Sequence, residues 1–139
     1  MLRIGPSFAI LALALAVMAG AQTPQPVLDL FRTAAEALSE RNVPRFLEQF
    51  DPAMKDYDVL RQHVTLLVGT EGAQSSIEVV SDEGDDKRRA LEIDWLLQVG
   101  TGAAKREILK VTVERQARGW KITALRPLDF FGPEEGNAL

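Results

Sequence analysis

The sequence has no cysteine, one histidine and one tyrosine among its 139 residues. Without cysteine there can be no disulfide framework, thiolate metal site, cysteine nucleophile or lipid-modified N-terminus of the lipoprotein kind. With His63 as the only histidine, a metal site built on imidazole is difficult to assemble, and only an all-carboxylate site would remain. We therefore predict neither a metal site nor a cofactor.

Positive charge is also scarce. The chain has 16 Lys+Arg against 20 Asp+Glu, a net charge of −4, and its largest basic cluster is Lys87-Arg88-Arg89. Affinity for nucleic acid comes mainly from lysine and arginine side chains that neutralise phosphates. A nucleic-acid partner is therefore not expected.

A long hydrophobic run is missing as well. The longest, residues 8–18, has eleven residues, whereas a membrane-spanning helix needs about 20. Arg3 precedes this run and the small-x-small sequence Ala19-Gly20-Ala21 follows it, a pattern typical of a secretory signal peptide. We predict a signal peptide over residues 1–21 and an exported chain, periplasmic or secreted, that leaves the membrane after cleavage. The alternative is a retained membrane anchor.

The rest of the chain is long enough for one domain with its own hydrophobic core. A polar lead covers residues 22–26, and the predicted domain covers residues 27–131. The polar tail, residues 132–139, is predicted to be disordered.

The first half of the domain has helical periodicity. Apolar residues between Val27 and Leu38 fall on one helix face, and Pro26 is suited to a first helical turn. Gly69 is suited to end a later helix. Three helices are predicted, at about residues 27–38, 44–50 and 57–68.

After Gly72 the apolar period changes from 3.6 to 2, which indicates strands. Turns rich in glycine and acidic residues separate four of them, at about residues 74–82, 87–99, 104–116 and 120–126. Helices followed by an antiparallel meander predict an α+β domain in which three N-terminal helices cover the apolar face of a four-stranded sheet.

The turn lengths also predict the register of the strands. We take residues 101–103 as a three-residue loop and residues 116–119 as a four-residue loop. The predicted opposite pairs are Trp95 with Leu109, Ile93 with Val111, Leu91 with Val113, Asp94 with Lys110, Val113 with Ile122, Val111 with Ala124, Glu114 with Lys121, and Thr112 with Thr123.

The element order resembles that of the NTF2-like (SnoaL-like) superfamily over most of residues 27–131. The best local mark is Gly119-Trp120-Lys121-Ile122-Thr123-Ala124-Leu125-Arg126-Pro127, a glycine turn, a core aromatic and an alternating strand ended by proline. The resemblance implies a curved sheet and helices that enclose a cone-shaped pocket. In this superfamily isomerases and dehydratases stand beside members without known chemistry, so the fold does not decide the function. No catalytic motif aligns here, so no catalytic residue is carried over.

Five residues are predicted to line such a cone: Tyr57, His63, Trp95, Glu107 and Arg126. Tyr57 begins the apolar stripe of the third helix and His63 lies at its margin, whereas the other three share the parity of the core residues on their strands. Glu107 and Arg126 would lie at the same end of the sheet, where they could pair or Arg126 could hold an anionic ligand. The competing interpretation is structural: core packing for Tyr57, a surface position for His63 and a partly solvated ion pair at the sheet edge.

The other face of the sheet is predicted to be largely polar. Asp94 is expected to point outward, which removes it as a general base, and the acidic run 82–86 is expected to be a solvated hairpin tip. Four apolar residues share the outward parity and predict an interface patch, which fits a homodimer because NTF2-like proteins often pair through their sheets. These residues are Val80, Leu96, Ile108 and Leu125.

These observations predict an exported, non-enzymatic NTF2-like domain that binds a small apolar or amphipathic ligand or a protein partner. The first alternative is a pocket enzyme of isomerase or hydrolase type, and the second is a structural dimerisation module whose cone is filled. The space inside the cone distinguishes the alternatives.

Overall fold

The computed structural model describes residues 23–69 and 71–133. The predicted signal peptide and most of the predicted disordered tail therefore lie outside the described residues. The helices are α1 (Gln25–Ser39), α2 (Val43–Leu47) and α3 (Tyr57–Val68), the strands are β1 (Ala73–Gly84), β2 (Arg88–Val99), β3 (Ala104–Gln116) and β4 (Gly119–Arg126), and a 3₁₀ helix follows at Leu128–Phe131.

The three helices form where their apolar stripes can be buried. α1 has a proline in its first turn, which needs no amide donor, and its stripe is buried against β1 and α2. The Asn42 side chain caps α2 by accepting a hydrogen bond from the Arg45 amide at 3.1 Å. Within the described part of the chain, each helix is too short or too polar to cross a bilayer.

The sheet is a four-stranded antiparallel meander in the order β1-β2-β3-β4, and the helices cover one of its faces. Burial alternates along β2, where Leu91, Ile93, Trp95 and Leu97 are buried and their neighbours are more exposed. The predicted α+β architecture of three helices on a curved four-stranded sheet is confirmed. We call the helix-covered face the inner face and the other the outer face.

The register between β2 and β3 differs from the prediction by two residues. Trp95 pairs with Glu107, and Asp94 pairs with Ile108. The turn spans residues 99–103 rather than 101–103, and it is closed by a hydrogen bond of 3.0 Å from the Gly102 amide to the Val99 carbonyl. Because the shift is even, every side chain keeps its predicted face and only its partner changes.

The register between β3 and β4 is as predicted at the turn and shifts farther on. Ile122 pairs with Val113, but the next pair joins Ala124 to Thr112, so Thr123 is an additional residue. Beyond this bulge the parity is reversed. Leu125 is 6 % exposed and faces inward, whereas Ala124 and Arg126 are exposed. The predictions of an outward Leu125, an inward Ala124 and an inward Arg126 are therefore wrong.

The bulge coincides with the end of a short backbone pairing on the other edge of β4. The Ile122 amide donates to the Gln49 carbonyl at 2.8 Å, and the Asp51 amide donates to the Ile122 carbonyl at 2.9 Å. This pairing holds Ile122 inward, and the chain after it is free to add a residue. The sequence contains no glycine or other conformational signal at this point.

Candidate functional site

The interior of the cone is filled by aromatic side chains. Phe46 from α2, Trp95 from β2 and Phe131 from the 3₁₀ helix are each completely buried. The ring centroid of Phe131 lies 5.7 Å from that of Phe46 and 5.1 Å from that of Trp95, both edge-on. Phe50 and Phe130 extend the cluster. The predicted ligand-binding position of Trp95 is thus a packed core position.

The polar atom of Trp95 is satisfied inside this core. Its Nε1 donates a hydrogen bond of 3.0 Å to Oγ of Ser75 on β1. An indole held in this way has no remaining donor for a ligand. Trp95 therefore joins β1 and β2 on the inner face and fills volume.

The 3₁₀ helix forms a closing element over the buried Trp95 and packs against α3 and β4. It follows the cis Arg126–Pro127 peptide and turns Phe130 and Phe131 back over the sheet. Lys105 lies across it, donating from Nζ to the Gly132 carbonyl at 3.1 Å and lying 5.5 Å from the centroid of the Phe130 ring. Sequence reasoning treated these residues as the end of the domain and missed their role, although adjacent phenylalanines before a polar tail are a signal for a closing element.

His63 lies against this closing element and not inside the cone. Its Nε2 is buried, lies 3.8 Å from Oδ1 of Asp129 and has no hydrogen-bond partner among the described residues. The Asp129 side chain is 95 % exposed, and the His63 ring packs against Gly132. None of these neighbours supplies a hydroxyl or thiol nucleophile, so the arrangement is not that of nucleophilic catalysis.

Glu107 and Arg126 are not brought together. Glu107 lies opposite Trp95 on the inner face near the sheet end, whereas Arg126 lies opposite Lys110 on the outer face. Lys110, the residue opposite Arg126, is three residues from Glu107 along β3, a distance of about 10 Å. Glu107 and Arg126 are both exposed. The predicted ion pair is therefore wrong, because the bulge at Thr123 moves Arg126 to the outer face and one residue farther from Glu107 along β3.

A buried ion pair occurs elsewhere. Asp82 accepts from Nε of Arg89 at 2.8 Å and from the hydroxyl of Thr23 at 2.6 Å, and the two charged side chains are 3 % and 12 % exposed. Thr23, just before α1, is thereby joined to the end of the β1–β2 hairpin. The prediction that this acidic run is wholly solvated is wrong for Asp82. Its carboxylate faces inward because Val80 is bulged and reverses the parity of β1.

Asp94 faces outward, as predicted, but with a different partner. Arg106 donates from Nε and Nη2 to the two carboxylate oxygens at 2.9 and 2.6 Å. The Arg106 guanidinium holds the pKa of Asp94 below its ordinary value, and the same contact raises the pKa of Arg106. A carboxylate held in this way is a poor general base.

Two open grooves lie on the surface of the described residues. The sheet-edge groove, of about 800 Å³, runs from the loop 54–56 across β4 and the outer face, and Arg126, Lys110 and Lys55 line it. The helix–hairpin groove, of about 680 Å³, lies between α2, α3 and the turn of the β3–β4 hairpin, and Tyr57 lines it. The five predicted ligand-binding residues therefore do not share a site.

A metal centre has no basis in the described part of the chain, since no three of its histidine, aspartate or glutamate side chains gather as ligands there. Neither grouping of charged residues, at Asp82 or at Asp94, has a free carboxylate aimed at an open position.

Comparison with solved structures identifies the fold as NTF2-like. An NTF-2 like protein of unknown function from Shewanella oneidensis MR-1 superposes with a TM-score of 0.61 at 10% identity, over 73% of this chain and 94% of that one. A protein with a cystatin-like fold from Nostoc punctiforme gives 0.58 at 13% identity, over 73% and 86% of the two chains. A designed NTF2 protein, a variant of Rd1NTF2_05, gives 0.57 at 15% identity, over 71% and 93%.

Sequence comparison adds nothing to this result. No protein-family profile matches the chain, and no curated protein sequence matches it. Identities of this size show the fold alone, and the fold is compatible with many functions. The expected resemblance to NTF2-like proteins is confirmed at the level of structure.

Proposed function

We propose that this chain is an exported, non-catalytic NTF2-like domain that acts by binding, and that a second copy of the chain binds the outer face of its sheet. The observation that carries the proposal is the filled cone. The completely buried rings of Phe46, Trp95 and Phe131 occupy the place where a pocket enzyme of this fold would hold its substrate. Recognition is therefore assigned to the surface.

The outer face carries exposed apolar side chains, two on its central strands and one on the edge strand β1. Val80, Leu96 and Ile108 are 56%, 39% and 46% exposed. Leu96 lies opposite Arg106, and Ile108 lies opposite Asp94, so the two apolar side chains are diagonal neighbours on β2 and β3. Exposed apolar side chains that adjoin one another in a polar surround are typical of a protein interface.

The charges around these apolar side chains are divided between the two halves of the outer face. The β1–β2 half carries four acidic residues and the β3–β4 half carries four basic ones; the one exception is Arg88 and Glu114, which pair with each other at 3.4 Å. The acidic residues are Glu78, Glu83, Glu92 and Asp94, and the basic residues are Arg106, Lys110, Lys121 and Arg126.

This division makes the outer face complementary to itself. A two-fold axis parallel to the strands and between β2 and β3 places the acidic half of one copy over the basic half of the other, twice. Lys110 and Arg126 are direct cross-strand neighbours of like charge, which is unfavourable in an isolated sheet. They have no ion-pair partner within residues 23–69 and 71–133, and carboxylates of a second copy would supply one.

The test of the dimer uses one apolar substitution and a matched control. Ile108→Glu places a charge at the centre of the proposed interface, whereas Leu66→Glu places the same charge on α3, where Leu66 is 70% exposed. Light scattering coupled to size exclusion should give a dimer for the native chain and for Leu66→Glu, and a monomer for Ile108→Glu. A native chain that is monomeric at every concentration contradicts the proposed interface.

Export is tested separately, by the mass of the protein recovered from the periplasm or the medium after expression of the full chain. The proposal predicts an N-terminus at Gln22. A mass that retains Met1, or recovery in the cytoplasm alone, contradicts export and leaves the proposed interface unaffected.

A further inference from the structure

The helix–hairpin groove has an apolar floor. Leu47 and Phe50 form its buried part, and Val43 and Tyr57 pack against the core while remaining partly exposed. The volume of about 680 Å³ is within the range of sites for small organic ligands. The Tyr57 ring thus contributes to a surface groove on the helical side, away from the filled cone and from the outer face.

The rim of this groove is basic. Arg61 from α3, Arg118 from the hairpin turn and Lys121 from β4 line it, and Glu48 is the one acidic residue among the lining residues. Two further carboxylates lie beside the rim: Asp58 pairs with Arg61, and Asp51 accepts a hydrogen bond from Gln116. Arg118 has no such carboxylate partner among the described residues, so its charge favours an anionic ligand at this end of the groove.

The cations of the rim are available for a ligand to different degrees. Arg118 makes neither an ion pair nor a hydrogen bond with any described residue. Arg61 pairs with Asp58 at 2.9 Å, but the two side chains are 52% and 74% exposed, and such a pair is weak enough to exchange partners. Lys121 is held by a hydrogen bond from Nζ to the Glu48 carbonyl, so it contributes mainly its charge.

The wall below the rim is held in place before any ligand binds. Gln116 donates from Nε2 to Oδ2 of Asp51 at 2.9 Å, and the Ala53 amide donates to Oδ1 at 2.8 Å. Both bonds lower the pKa of Asp51, and the bond from the Ala53 amide contributes more than the bond from Gln116. Both oxygens of its carboxylate are engaged by these donors. A preorganised site loses less entropy on binding.

We propose that the helix–hairpin groove binds an anionic amphiphile, whose alkyl body lies on the apolar floor and whose carboxylate is held by Arg118 and Arg61. Arginine is suited to this role because its planar fork donates two parallel hydrogen bonds to a carboxylate. The site is separate from the proposed dimer interface. The two share one residue, Lys121, which lies on the edge strand β4.

The test compares head groups of opposite charge on the same alkyl chain. Titration calorimetry of the chain from Gln22 to Leu139 should show saturable binding of decanoate, and binding of decyltrimethylammonium weaker by at least about tenfold. Arg118→Glu should weaken decanoate by a similar factor. Arg32→Glu, an equal charge change on the exposed face of α1, should leave the affinity unchanged. Equal affinities for both head groups, or an Arg118→Glu protein that binds as tightly as the native one, overturn the proposal.

A second variant tests the location without disturbing the core. Thr65 is exposed and lines the groove from α3, so Thr65→Trp should fill the groove and abolish decanoate binding while the protein stays folded. Amide chemical shifts on addition of decanoate to the native chain should change at Val43, Tyr57 and Arg118. Changes centred on Trp95 and Phe131 would place the ligand in an opened cone and overturn both this site and the filled cone. A monomeric native chain that binds decanoate as described would contradict the dimer alone.

Discussion

The two faces of the sheet present the same backbone to different surroundings. On the inner face Trp95, Phe131 and their neighbours exclude solvent, and Nε1 of Trp95 donates its hydrogen bond to Ser75. On the outer face Asp94 and Arg106 form a bidentate pair beside the exposed Leu96 and Ile108. The inner face is characterised by side chains that fill the interior, and the outer face by the arrangement of its charged residues. The inner face accounts for stability, and the charge order of the outer face is the basis for the proposed recognition.

The largest effect is expected from emptying the inner face. Phe131→Ala removes a completely buried ring between Phe46 and Trp95, which should lower the free energy of unfolding by about 3–5 kcal/mol. Val80→Ala, on the outer face at 56% exposure, should lower it by less than about 1 kcal/mol. Urea unfolding followed by tryptophan fluorescence measures both. Similar losses for the two variants would mean that the inner face is not the closed core described above.

The next largest effect is expected from breaking a buried ion pair, compared with breaking an exposed one. Asp82→Ala removes a nearly buried carboxylate that accepts hydrogen bonds from Arg89 and Thr23, which should lower the free energy of unfolding by about 3 kcal/mol. Asp58→Ala breaks an exposed pair with Arg61 and should change it by less than about 1 kcal/mol. Thermal unfolding of both variants at one pH is sufficient. A loss for Asp82→Ala no larger than that for Asp58→Ala would contradict the buried pair and its link from Thr23 to the hairpin.

A smaller effect is expected from salt on the dimer. If the acidic and basic halves of the outer face attract each other, raising NaCl from about 0.05 to 0.5 M should screen them and weaken the dimer several-fold. Sedimentation equilibrium at both salt concentrations measures the dissociation constant. A dimer that becomes tighter in high salt would be held by apolar contacts alone, and the division of charge would have no role in it.

The smallest effect concerns the ion pair on the outer face. Arg106 lowers the pKa of Asp94 in the folded chain, so the pair stabilises the fold above the ordinary aspartate pKa and loses this contribution as the pH falls through the lowered value. The difference in stability between the native chain and Asp94→Asn should therefore be constant near neutral pH and shrink in acid. In a protein that already carries Arg106→Ala, the stability difference caused by Asp94→Asn should no longer depend on pH. A difference that grows in acid would contradict the assignment.

Much of the fold was predictable from the sequence because hydrophobic periodicity reports which face is buried. The three helices follow from a period of 3.6 in the apolar residues, and the four strands and the outward direction of Asp94 follow from a period of 2. Parity does not report which residue lies opposite: the turn 99–103 uses two more residues than its glycines suggested, and every β2–β3 pair changed partner while keeping its face.

The candidate site was less predictable, because it depends on single-residue irregularities. One additional residue at Thr123 reverses Leu125 and Arg126, and another at Val80 turns Asp82 inward. Such bulges are set by tertiary contacts, here by the backbone pairing of Ile122 with the 49–51 segment, and no local sequence signal marks them. Of the five residues predicted to share a cone, Arg126 is displaced by a bulge, and Phe130 and Phe131 fill the space beside Trp95.

The proposed function is tested most directly by charge reversal with mixing. One variant carries Glu78→Lys and Glu83→Lys, which leaves two residues of each sign among the four of the acidic half; the other carries Lys110→Glu and Arg126→Glu, which does the same to the basic half. Analytical ultracentrifugation should show each variant alone as a monomer and their equimolar mixture as a heterodimer, because the unaltered basic half of the first variant then lies over the unaltered acidic half of the second. Dimers of each variant alone, or a mixture that stays monomeric, would contradict recognition through the outer face.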